Sequence, residues 1–448
     1  MTSLWWIRRD ARLNDNPALL EAQGDGPAAA VFAWSPAVRL WSGRRRAHLA
    51  RVLWSLSEDT GRSVGVRHGD PADVVLEAAR EVGATVVCAQ HEYSPSGLRE
   101  QRAVEEALTH DGRHLRLVGS PYAVAPGRVL KADGTEYQVF TPFRRAWRDH
   151  GWRRPAAPAD PHGFVPVSSD IDLDHDAALG DIQDPLGYPP PFTETAWLER
   201  LSDFVAGPLA QYTSERDLPN VDATSRMSIP LAYGQVHPRT LLAAAEDAAT
   251  ANPDLSASAA TFTSEVAWRE FHANVLFHHP DALRTSLRQV IPDDAWATGK
   301  EADDAFDAWR DGRTGFPLVD AGMREMAATG MMHNRVRMVV ASFLIKDLHV
   351  PWQRGADHFR RGLLDYDDAQ NQLNWQWVAG TGRDAAPYFR VFNPDGQGDK
   401  FDPLGAYVRR WLPDLDTPAY PERIVDHQQE RQIALTDFTR GKRPSPQS

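Results

Sequence analysis

Residues 363–380, LLDYDDAQNQLNWQWVAG, form the stretch on which our interpretation of the chain depends. Read as a helix, this stretch places Asp367, Asn371 and Trp375 at positions i, i+4 and i+8, on one face. Trp375 and Trp377 are then roughly 200° apart around the axis, so the two indoles point to opposite sides. One face carries an acid, an amide and an indole in a row. Because tryptophans are also common core anchors, an ordinary half-buried helix remains the alternative.

This stretch and the one after it carry a family resemblance. DYDDAQNQLNWQW (365–377) and TGRDAAPYFRVFNPDGQGDKFDP (381–403) are similar to the flavin-binding signature of the DNA photolyase/cryptochrome family. Within that family the chain most resembles the class I cyclobutane pyrimidine dimer photolyases. The resemblance implies FAD as the cofactor, damaged DNA as the partner, and a fold with an α/β N-terminal and an all-α C-terminal domain.

The composition is that of an ordinary globular protein. The chain has 448 residues, of which 25% are charged and 42% hydrophobic, enough for two or three domains. No apolar run approaches the ~18 residues that a membrane span needs. The N-terminus has charges after its apolar residues and no signal-peptide core. We therefore expect a cytoplasmic protein without membrane association, and a monomer.

Cysteine and charge narrow the possible functions. Cys88 is the single cysteine and lies in the apolar run ATVVCA, which predicts a buried structural thiol. One cysteine excludes a disulfide framework and a four-cysteine iron–sulfur cluster. The net charge of −12 argues against general nucleic-acid binding, but residues 334–410 hold 11 Lys+Arg and 9 Asp+Glu. A locally basic face could therefore hold a short stretch of DNA.

Residues 1–120 alternate short apolar runs with helical segments. The expected strands are SLWWI, AAAVFAW, SVGV, ATVVCA and HLRLV, and the expected helices are DNPALLEAQ, RRRAHLARVLWSLSEDTG, PADVVLEAAREVG and SGLREQRAVEEAL. This alternation predicts βαβ units and a doubly wound parallel sheet. No GxGxxG follows the first strand, so a flavin is not expected to bind here in the Rossmann manner.

The family resemblance implies a light-harvesting antenna in this first domain, at the carboxyl ends of its strands. RRDARLNDNPAL (8–19) resembles the family's opening. HEYSPSGLREQ (91–101) has Ser96-Gly97 where folate-binding relatives carry Asn-Glu, so a deazaflavin is the expected antenna. A surface loop with no antenna is the alternative.

The remaining chain divides into a linker and a helical domain. Residues 150–195 are rich in proline, aspartate and glycine with little periodicity. From residue 195 onward the apolar period is near 3.6. We predict an antenna-binding domain over 1–130, a linker over 131–195, and an all-helical domain that binds FAD and DNA over 196–448.

The segment from Gln211 to Arg239 is the first candidate site in the helical domain. Hydroxyl groups near a helix start suit a pyrophosphate, although a plain N-cap is the alternative. The segment resembles the family's flavin phosphate clamp, which implies cofactor contacts by Tyr212, Arg216, Thr224, Ser225, Arg226, Met227 and Ser228.

The segment TFTSEVAWREFHANVL (261–276) places Phe262, Glu265 and Arg269 on one helix face, with Trp268 beside them. A flipped-out pyrimidine dimer needs a stacking wall and a hydrogen-bonding carboxyl group. The resemblance implies that Trp268 and Glu265 supply them, and that Phe262 and Arg269 contact the flavin. Packing plus an exposed ion pair is the alternative.

The segment MMHNRVRMVVASFLIKDL (331–348) has Asn334 and Met338 one helical turn apart. They match family positions that line the substrate cavity of cyclobutane-dimer enzymes. Relatives that repair (6-4) photoproducts carry histidines there for proton transfer. The resemblance further implies that Arg335 faces a DNA phosphate and that Arg337 pairs with Asp365. On periodicity alone this is a core helix with methionine as filler.

The resemblance assigns the first stretch to the flavin and to electron transfer. Asp365, Tyr366 and Asp367 would contact the cofactor, Asn371 would face its N5, and Trp377 would stack on the substrate. Trp375, Trp352 and Trp296 would form the electron chain, with Trp296 the uncertain outer member because three extra residues separate it from Trp309. No acid–base triad or metal is required; His278-His279-Pro280 is interpreted as a helix-end loop.

The predicted function is light-driven repair of cyclobutane pyrimidine dimers by electron transfer from reduced FAD, a carbon–carbon lyase reaction. The alternative is a blue-light photoreceptor cryptochrome with the same flavin pocket. Asn371, Met338 and the absence of a long tail after Ser448 favour repair. A DNA-damage binder without flavin is a weaker alternative.

Overall fold

The computed structural model describes residues 2–24, 26–173, 191–384 and 390–441. The chain packs into two compact units. Unit 1 comprises Met1–Tyr137, Thr141–Ala210 and Thr224–Pro280, and unit 2 comprises Gln138–Phe140, Gln211–Ala223 and Asp281–Ser448. The predicted domain boundaries at residues 130 and 195 both fall inside unit 1, so the division into antenna domain, linker and helical domain stays a prediction.

A parallel sheet forms the centre of the N-terminal region. Its strands follow the order β3-β2-β1-β4-β5, with β6 paired to the start of β2. The elements are β1 Ser3–Ile7, α1 Pro17–Gln23, β2 Ala28–Trp34, α2 Pro36–Arg39, α3 Gly43–Asp59, β3 Val64–His68, α4 Pro71–Glu81, β4 Val86–Ala89, α5 Pro95–His110, β5 His114–Leu117, α6 Phe140–His150 and β6 Phe164–Val165. All five predicted strands and the doubly wound α/β class are confirmed.

The sequence explains why these elements form. β1 and β2 are buried along their whole length, as expected for central parallel strands covered on both faces. Asn16 accepts a hydrogen bond from the Leu19 N–H (3.1 Å) and Pro17 occupies the first turn, so α1 starts where its cap dictates. β6 lies within the predicted linker and was not expected, because two residues give no periodicity.

Cys88 lies in β4 and is fully buried. Its strand pairs with β1 on one side and β5 on the other. Burial raises the pKa of the thiol to about 11. The predicted burial of the thiol is confirmed. With a pKa this high, almost no reactive thiolate exists near neutral pH.

Helices are the regular elements of the described residues from 191 onward. They are α7 Glu194–Ala206, α8 Tyr212–Glu215, α9 Ser228–Tyr233, α10 Pro238–Ala251, α11 Ser256–His278, α12 Gly299–Arg310, α13 Pro317–Thr329, α14 Asn334–Lys346, α15 Trp352–Gly362, α16 Asp368–Ala379, α17 Pro394–Phe401, α18 Ala406–Trp411 and α19 His427–Gly441. The expected all-α C-terminal region is confirmed. Across the described residues, no helix combines the length and apolar character that crossing a bilayer would demand.

Two helices start or stop differently from the sequence-based expectation. The apolar period of 3.6 predicts a helix that continues through residues 196–212, but α7 ends at Ala206 because Gly207 and Pro208 follow. The helix expected over 363–380 begins at Asp368, and Asp367 is its N-cap with extended backbone. Residues 174–190 of the predicted linker and AAPYF (385–389) of the flavin signature lie outside the described residues.

Candidate functional site

The start of α16 in unit 2 gathers two of the predicted acids. The Asp367 carboxylate accepts from the Ala369 and Gln370 N–H groups at 3.0 and 3.1 Å, which fixes the first turn of the helix. Asp365, whose side chain is 4% exposed, accepts two hydrogen bonds from Arg337 at 3.1 and 3.0 Å. The structure therefore contains the expected Arg337–Asp365 pair.

Asn371 is one turn into α16 and is buried. Its Nδ2 donates to the Ala356 carbonyl at 3.0 Å and to Gln372 Oε1 at 2.7 Å. Among the described residues, Asn371 Oδ1 accepts no hydrogen bond. The amide therefore keeps one acceptor atom for a ligand.

Trp375 is buried against α15. A β-carbon at Gly355 would lie 2.2 Å from Trp375 Cη2, so the ring occupies space that only glycine leaves open. Phe359 and Trp309 meet the indole edge-on, with ring centroids 5.0 and 6.3 Å away. This enclosure holds the indole in one orientation.

The other predicted tryptophans of unit 2 lie in different environments. Trp352, fully buried at the start of α15, donates from Nε1 to Ser286 Oγ at 3.0 Å. Trp296 is half-buried and directly follows the 3-10 turn Asp293–Ala295. Trp377 is half-buried on α16. The increase in exposure from Trp352 to Trp296 is compatible with an inner and an outer member of a chain.

The first two turns of α14 carry three of the predicted substrate residues of unit 2. His333 caps the first turn by accepting from the Arg335 N–H at 3.2 Å, and burial lowers the His333 pKa to about 4. Arg335 donates to Asp217 at 2.8 Å, lies over the Phe401 ring at 4.6 Å, and approaches Met338 Sδ at 3.6 Å. Asn334 is exposed. The Arg335 guanidinium, which was expected to face a DNA phosphate, is thus held at one edge by Asp217 and on one face by the Phe401 ring.

Three further predicted cofactor residues belong to unit 2. The Arg216 guanidinium is 5.4 Å from the Tyr212 ring centroid, and Tyr212 is buried. The Tyr366 hydroxyl donates to Asp368 at 2.7 Å. Burial is the main reason that the Tyr366 pKa is raised, so this phenol keeps its proton.

The predicted phosphate clamp, Thr224–Ser228, belongs to unit 1. Arg226 has a left-handed backbone with φ of 58°, an uncommon conformation for an arginine. Ser225 Oγ accepts from the Met227 N–H at 3.4 Å, and the Thr224 carbonyl accepts from Arg200 at 2.8 Å. Ser228 begins the short helix α9. The turn before α9 is therefore tightly fixed.

Helix α11, also in unit 1, carries the other predicted substrate and flavin residues. Glu265 and Trp268 are half-buried, and the Trp268 indole meets Phe271 edge-on. Phe262 is buried against Phe204, with ring centroids 5.1 Å apart. Arg269 donates to the Pro121 carbonyl at 3.0 Å and lies over the Tyr122 ring. Its guanidinium thus binds a loop, and the proposed flavin contact of Arg269 stays a prediction.

The residues of unit 2 fit a flavin. A flavin ring presents a polar edge of carbonyl and imide groups and a nitrogen, N5, that bears hydrogen when the ring is reduced. The Arg337–Asp365 pair supplies donors and acceptors, Asn371 Oδ1 supplies an acceptor, and buried aromatic rings surround Trp375. Within the described ranges, no group of three or more His, Cys, Asp or Glu side chains is arranged to hold a metal.

Sequence analysis missed two residues that the structure connects to the predicted set. Gln372 accepts from Asn371, and Asp217 holds Arg335. No spacing signal reveals the Asp217–Arg335 pair, because 118 positions separate its members. Gln372 directly follows Asn371 in the sequence, so its amide could have been predicted as a hydrogen-bond partner of the Asn371 side chain.

Two family models match the chain. The model described as DNA photolyase matches residues 3–162, and the one described as FAD binding domain of DNA photolyase matches residues 262–418. The second range contains α14 and α16 and the part of α11 from Phe262 onward. Tyr212, Arg216 and the Thr224–Ser228 turn lie outside both matched ranges.

Relatives and solved structures agree with these matches. A deoxyribodipyrimidine photo-lyase of Halobacterium salinarum is 35% identical, with 98% of this chain and 99% of that protein covered. A class III photolyase from Agrobacterium tumefaciens has a TM-score of 0.88 at 34% identity, covering 98% of this chain and 97% of its own. A Synechocystis cryptochrome has a TM-score of 0.87 at 26% identity, covering 97% and 99%.

Proposed function

Because the chain belongs to the DNA photolyase family, we propose that it is a deoxyribodipyrimidine photolyase that repairs cyclobutane pyrimidine dimers in light. The observation that carries the proposal is α16, which follows the Asp365–Arg337 pair directly, presents the Asn371 amide oxygen, and carries Trp375 packed against α15. Bound and reduced FAD would supply, on excitation, the electron that splits the dimer and would take it back afterwards. Damaged DNA is the proposed partner. We further propose a monomeric, cytoplasmic protein.

The protein's own residues bind and orient the cofactor. Arg337 holds the Asp365 side chain in place through two hydrogen bonds, and Asp367 fixes the helix start from which Asn371 projects. The proposed cofactor-binding set is completed by Tyr212, Arg216, Thr224, Ser225, Arg226, Met227, Ser228, Phe262, Arg269 and Tyr366. None of these roles needs a proton-transfer group poised near neutral pH, which suits a reaction driven by electron transfer.

Trp375 and Trp352 are the proposed inner members of the chain that reduces the flavin in light. Both rings are buried and fixed, Trp375 by Gly355 and Trp352 by its hydrogen bond to Ser286. Because both rings are fixed, the distance over which an electron would pass between the two indoles stays constant. Trp296, which is half-buried, is proposed as the outer member that meets the reductant.

The substrate contacts are proposed for side chains that the fold leaves partly open. Glu265, Trp268 and Trp377 are half-buried, and Asn334 is exposed. An indole can stack on a flipped-out dimer while a carboxyl group hydrogen-bonds it. Asn334 and Met338 offer no titrating group, which supports the cyclobutane dimer over the (6-4) photoproduct as substrate. Arg335 would contact a backbone phosphate.

A second chromophore is proposed at the carboxyl edge of the sheet in unit 1. The strand order changes direction between β1 and β4, and such a switch point is where open α/β sheets bind ligands. Ser96-Gly97 supports a deazaflavin. The absorption spectrum of the native protein tests this assignment: a band beyond those of FAD supports the antenna, and an FAD spectrum alone contradicts it.

The repair reaction is tested by illuminating the purified protein with an oligonucleotide that contains a cyclobutane dimer. With the flavin fully reduced beforehand, we expect loss of the dimer in light and none in darkness. An unchanged dimer content would contradict the proposal and favour the photoreceptor. A colourless, flavin-free preparation would contradict both functions and favour a DNA-damage binder.

Glu265→Ala separates substrate binding from cofactor binding. We expect weaker repair with the flavin still bound, because the carboxyl group is proposed to contact the dimer and not FAD. Flavin absorbance per protein and dimer loss per photon are the two measurements. Repair equal to that of the parent would remove Glu265 from the site.

A further inference from the structure

The orientation of the Asn371 amide is dictated by its surroundings. Nδ2 donates to the Ala356 carbonyl, and a carbonyl can only accept, so the nitrogen must face α15. The second acceptor of Nδ2 is Gln372 Oε1, at 2.7 Å. Both hydrogen bonds of the side chain use the nitrogen, and the oxygen points elsewhere.

The Gln372 amide is oriented in the same way. Its Nε2 donates to the Leu283 carbonyl at 2.9 Å, so its Oε1 is the atom left for Asn371. Two backbone carbonyls, on Ala356 and Leu283, thus determine the direction of both side-chain amides. Exchanging nitrogen and oxygen in either amide would bring two oxygens together and leave a donor without its acceptor.

The backbone at Leu283 is itself anchored from α16. Gln376, one turn after Gln372 and fully buried, donates to the carbonyls of Ala282 (2.8 Å) and Thr285 (3.0 Å). Its Oε1 accepts from the Leu287 N–H at 2.9 Å. The segment that orients Gln372 is therefore held by three hydrogen bonds and cannot readily turn its carbonyl away.

We infer that Gln372 is a positioning residue that makes Asn371 present an acceptor, and not a donor, to the flavin. The inference rests on the proposed function, in which Asn371 faces N5. An acceptor at this point favours a flavin that carries hydrogen on N5, because the reduced N5–H can donate to Oδ1. Oxidised N5 is itself an acceptor and would face Oδ1 without a hydrogen bond.

A set of variants tests this role through the dark reoxidation of the photoreduced flavin, followed in air by absorbance. Gln372→Met keeps the length of the side chain and removes both polar atoms. We expect reoxidation about fivefold faster than in the parent, the effect of losing the orientation of one hydrogen bond. Gln372→Asn is too short to reach the Leu283 carbonyl, and we expect a rate between those two.

The double variant Asn371→Ala/Gln372→Met separates positioning from a general loss of packing. If Gln372 acts through Asn371, its substitution changes the rate in the parent and leaves it unchanged once Asn371 is absent. Asn374→Ala, on an exposed position of the same helix, is the control and should reoxidise like the parent. Melting temperatures report any structural cost separately.

Two results would overturn the inference. The first is a reoxidation rate of Gln372→Met within twofold of the parent's while the variant binds flavin normally. The second is an equal acceleration by Gln372→Met with and without Asn371. Both leave the proposed function standing, since the flavin is bound. A parent protein without flavin would instead overturn the proposed function along with the inference.

Discussion

Helices α11 and α16 both carry polar side chains on a largely buried surface, but they use them differently. In α11, Glu270 accepts from the Ala123 and Val124 N–H groups and from Trp147 Nε1, and Asn274 Oδ1 accepts from the Gly127 N–H. These side chains fix a loop. In α16, Asn371 and Gln372 bind each other and two carbonyls, and one oxygen atom remains without a donor among the described residues.

The difference shows how a buried polar group can be structural or functional. A carboxylate whose acceptor capacity is filled by backbone N–H groups contributes to stability, and its loss leaves donors unsatisfied. An amide whose nitrogen is fixed and whose oxygen is left open is organised for a ligand. On this basis α11 should respond to substitution mainly in folding, and α16 mainly in cofactor chemistry.

The largest expected effect is on folding. Glu270→Ala removes the acceptor of three N–H donors in a fully buried place, and we expect the free energy of unfolding to fall by about 3 kcal/mol or more. Asn274→Ala leaves one donor, the Gly127 N–H, without its acceptor and should lower the free energy of unfolding by about 1 kcal/mol. Denaturant unfolding measures both. Equal costs for the two variants would contradict the comparison.

Gly355→Ala tests the enclosure of Trp375. The added methyl group would overlap the indole and also approach Leu344 Cδ2 to 2.6 Å, so we expect a loss of about 1–3 kcal/mol in stability and slower photoreduction of the flavin. Gly398→Ala, in helix α17 with open space around it, is the matched control and should be neutral or slightly stabilising. Thermal unfolding and steady-illumination spectra provide the measurements.

The third prediction concerns pH. Burial raises the pKa of Glu270 to about 7, although its three N–H donors oppose the shift. A carboxyl group with a raised folded-state pKa contributes stability at low pH and loses it as pH rises through about 7. Against Glu270→Gln, which does not titrate, the parent should therefore lose stability between pH 5 and pH 8, by about 1 kcal/mol or more. A constant difference across that range would contradict the assignment.

The smallest expected effect is on DNA binding. Arg335→Gln removes one proposed phosphate contact, so we expect severalfold weaker binding and a salt dependence whose slope falls by about one unit. Asp217→Asn retains the arginine but loses the carboxylate that holds it at 2.8 Å. The affinity for DNA should therefore fall while the slope of the salt dependence stays the same, because no phosphate contact by a charged group is lost. Fluorescence anisotropy at several salt concentrations distinguishes the two. An unchanged slope in Arg335→Gln would place this side chain away from the phosphates.

The fold was largely predictable because its signals are local. Each of the five predicted strands lies next to a helix in the sequence, and capping residues such as Asn16 and Ser94 mark where helices begin. The prediction went wrong where breakers compete with periodicity. Gly207-Pro208 stopped α7 early, and Asp367 capped α16 instead of joining it.

The candidate site was predictable only in part. Asp365 and Arg337 could be paired from the family resemblance, and helical spacing placed Asn371 and Trp375 on one face. Spacing says nothing about which atom of an amide points to the ligand. That depends on carbonyls at Ala356 and Leu283, whose positions are set by tertiary structure.

The buried thiol of Cys88 has a practical consequence. It is the chain's single cysteine, fully enclosed in β4, with a pKa raised to about 11. Maleimide reagents should therefore leave the native protein unlabelled. A cysteine introduced on the exposed surface, for example by Asn374→Cys, would carry a fluorophore or spin label at one known position without first removing a natural one.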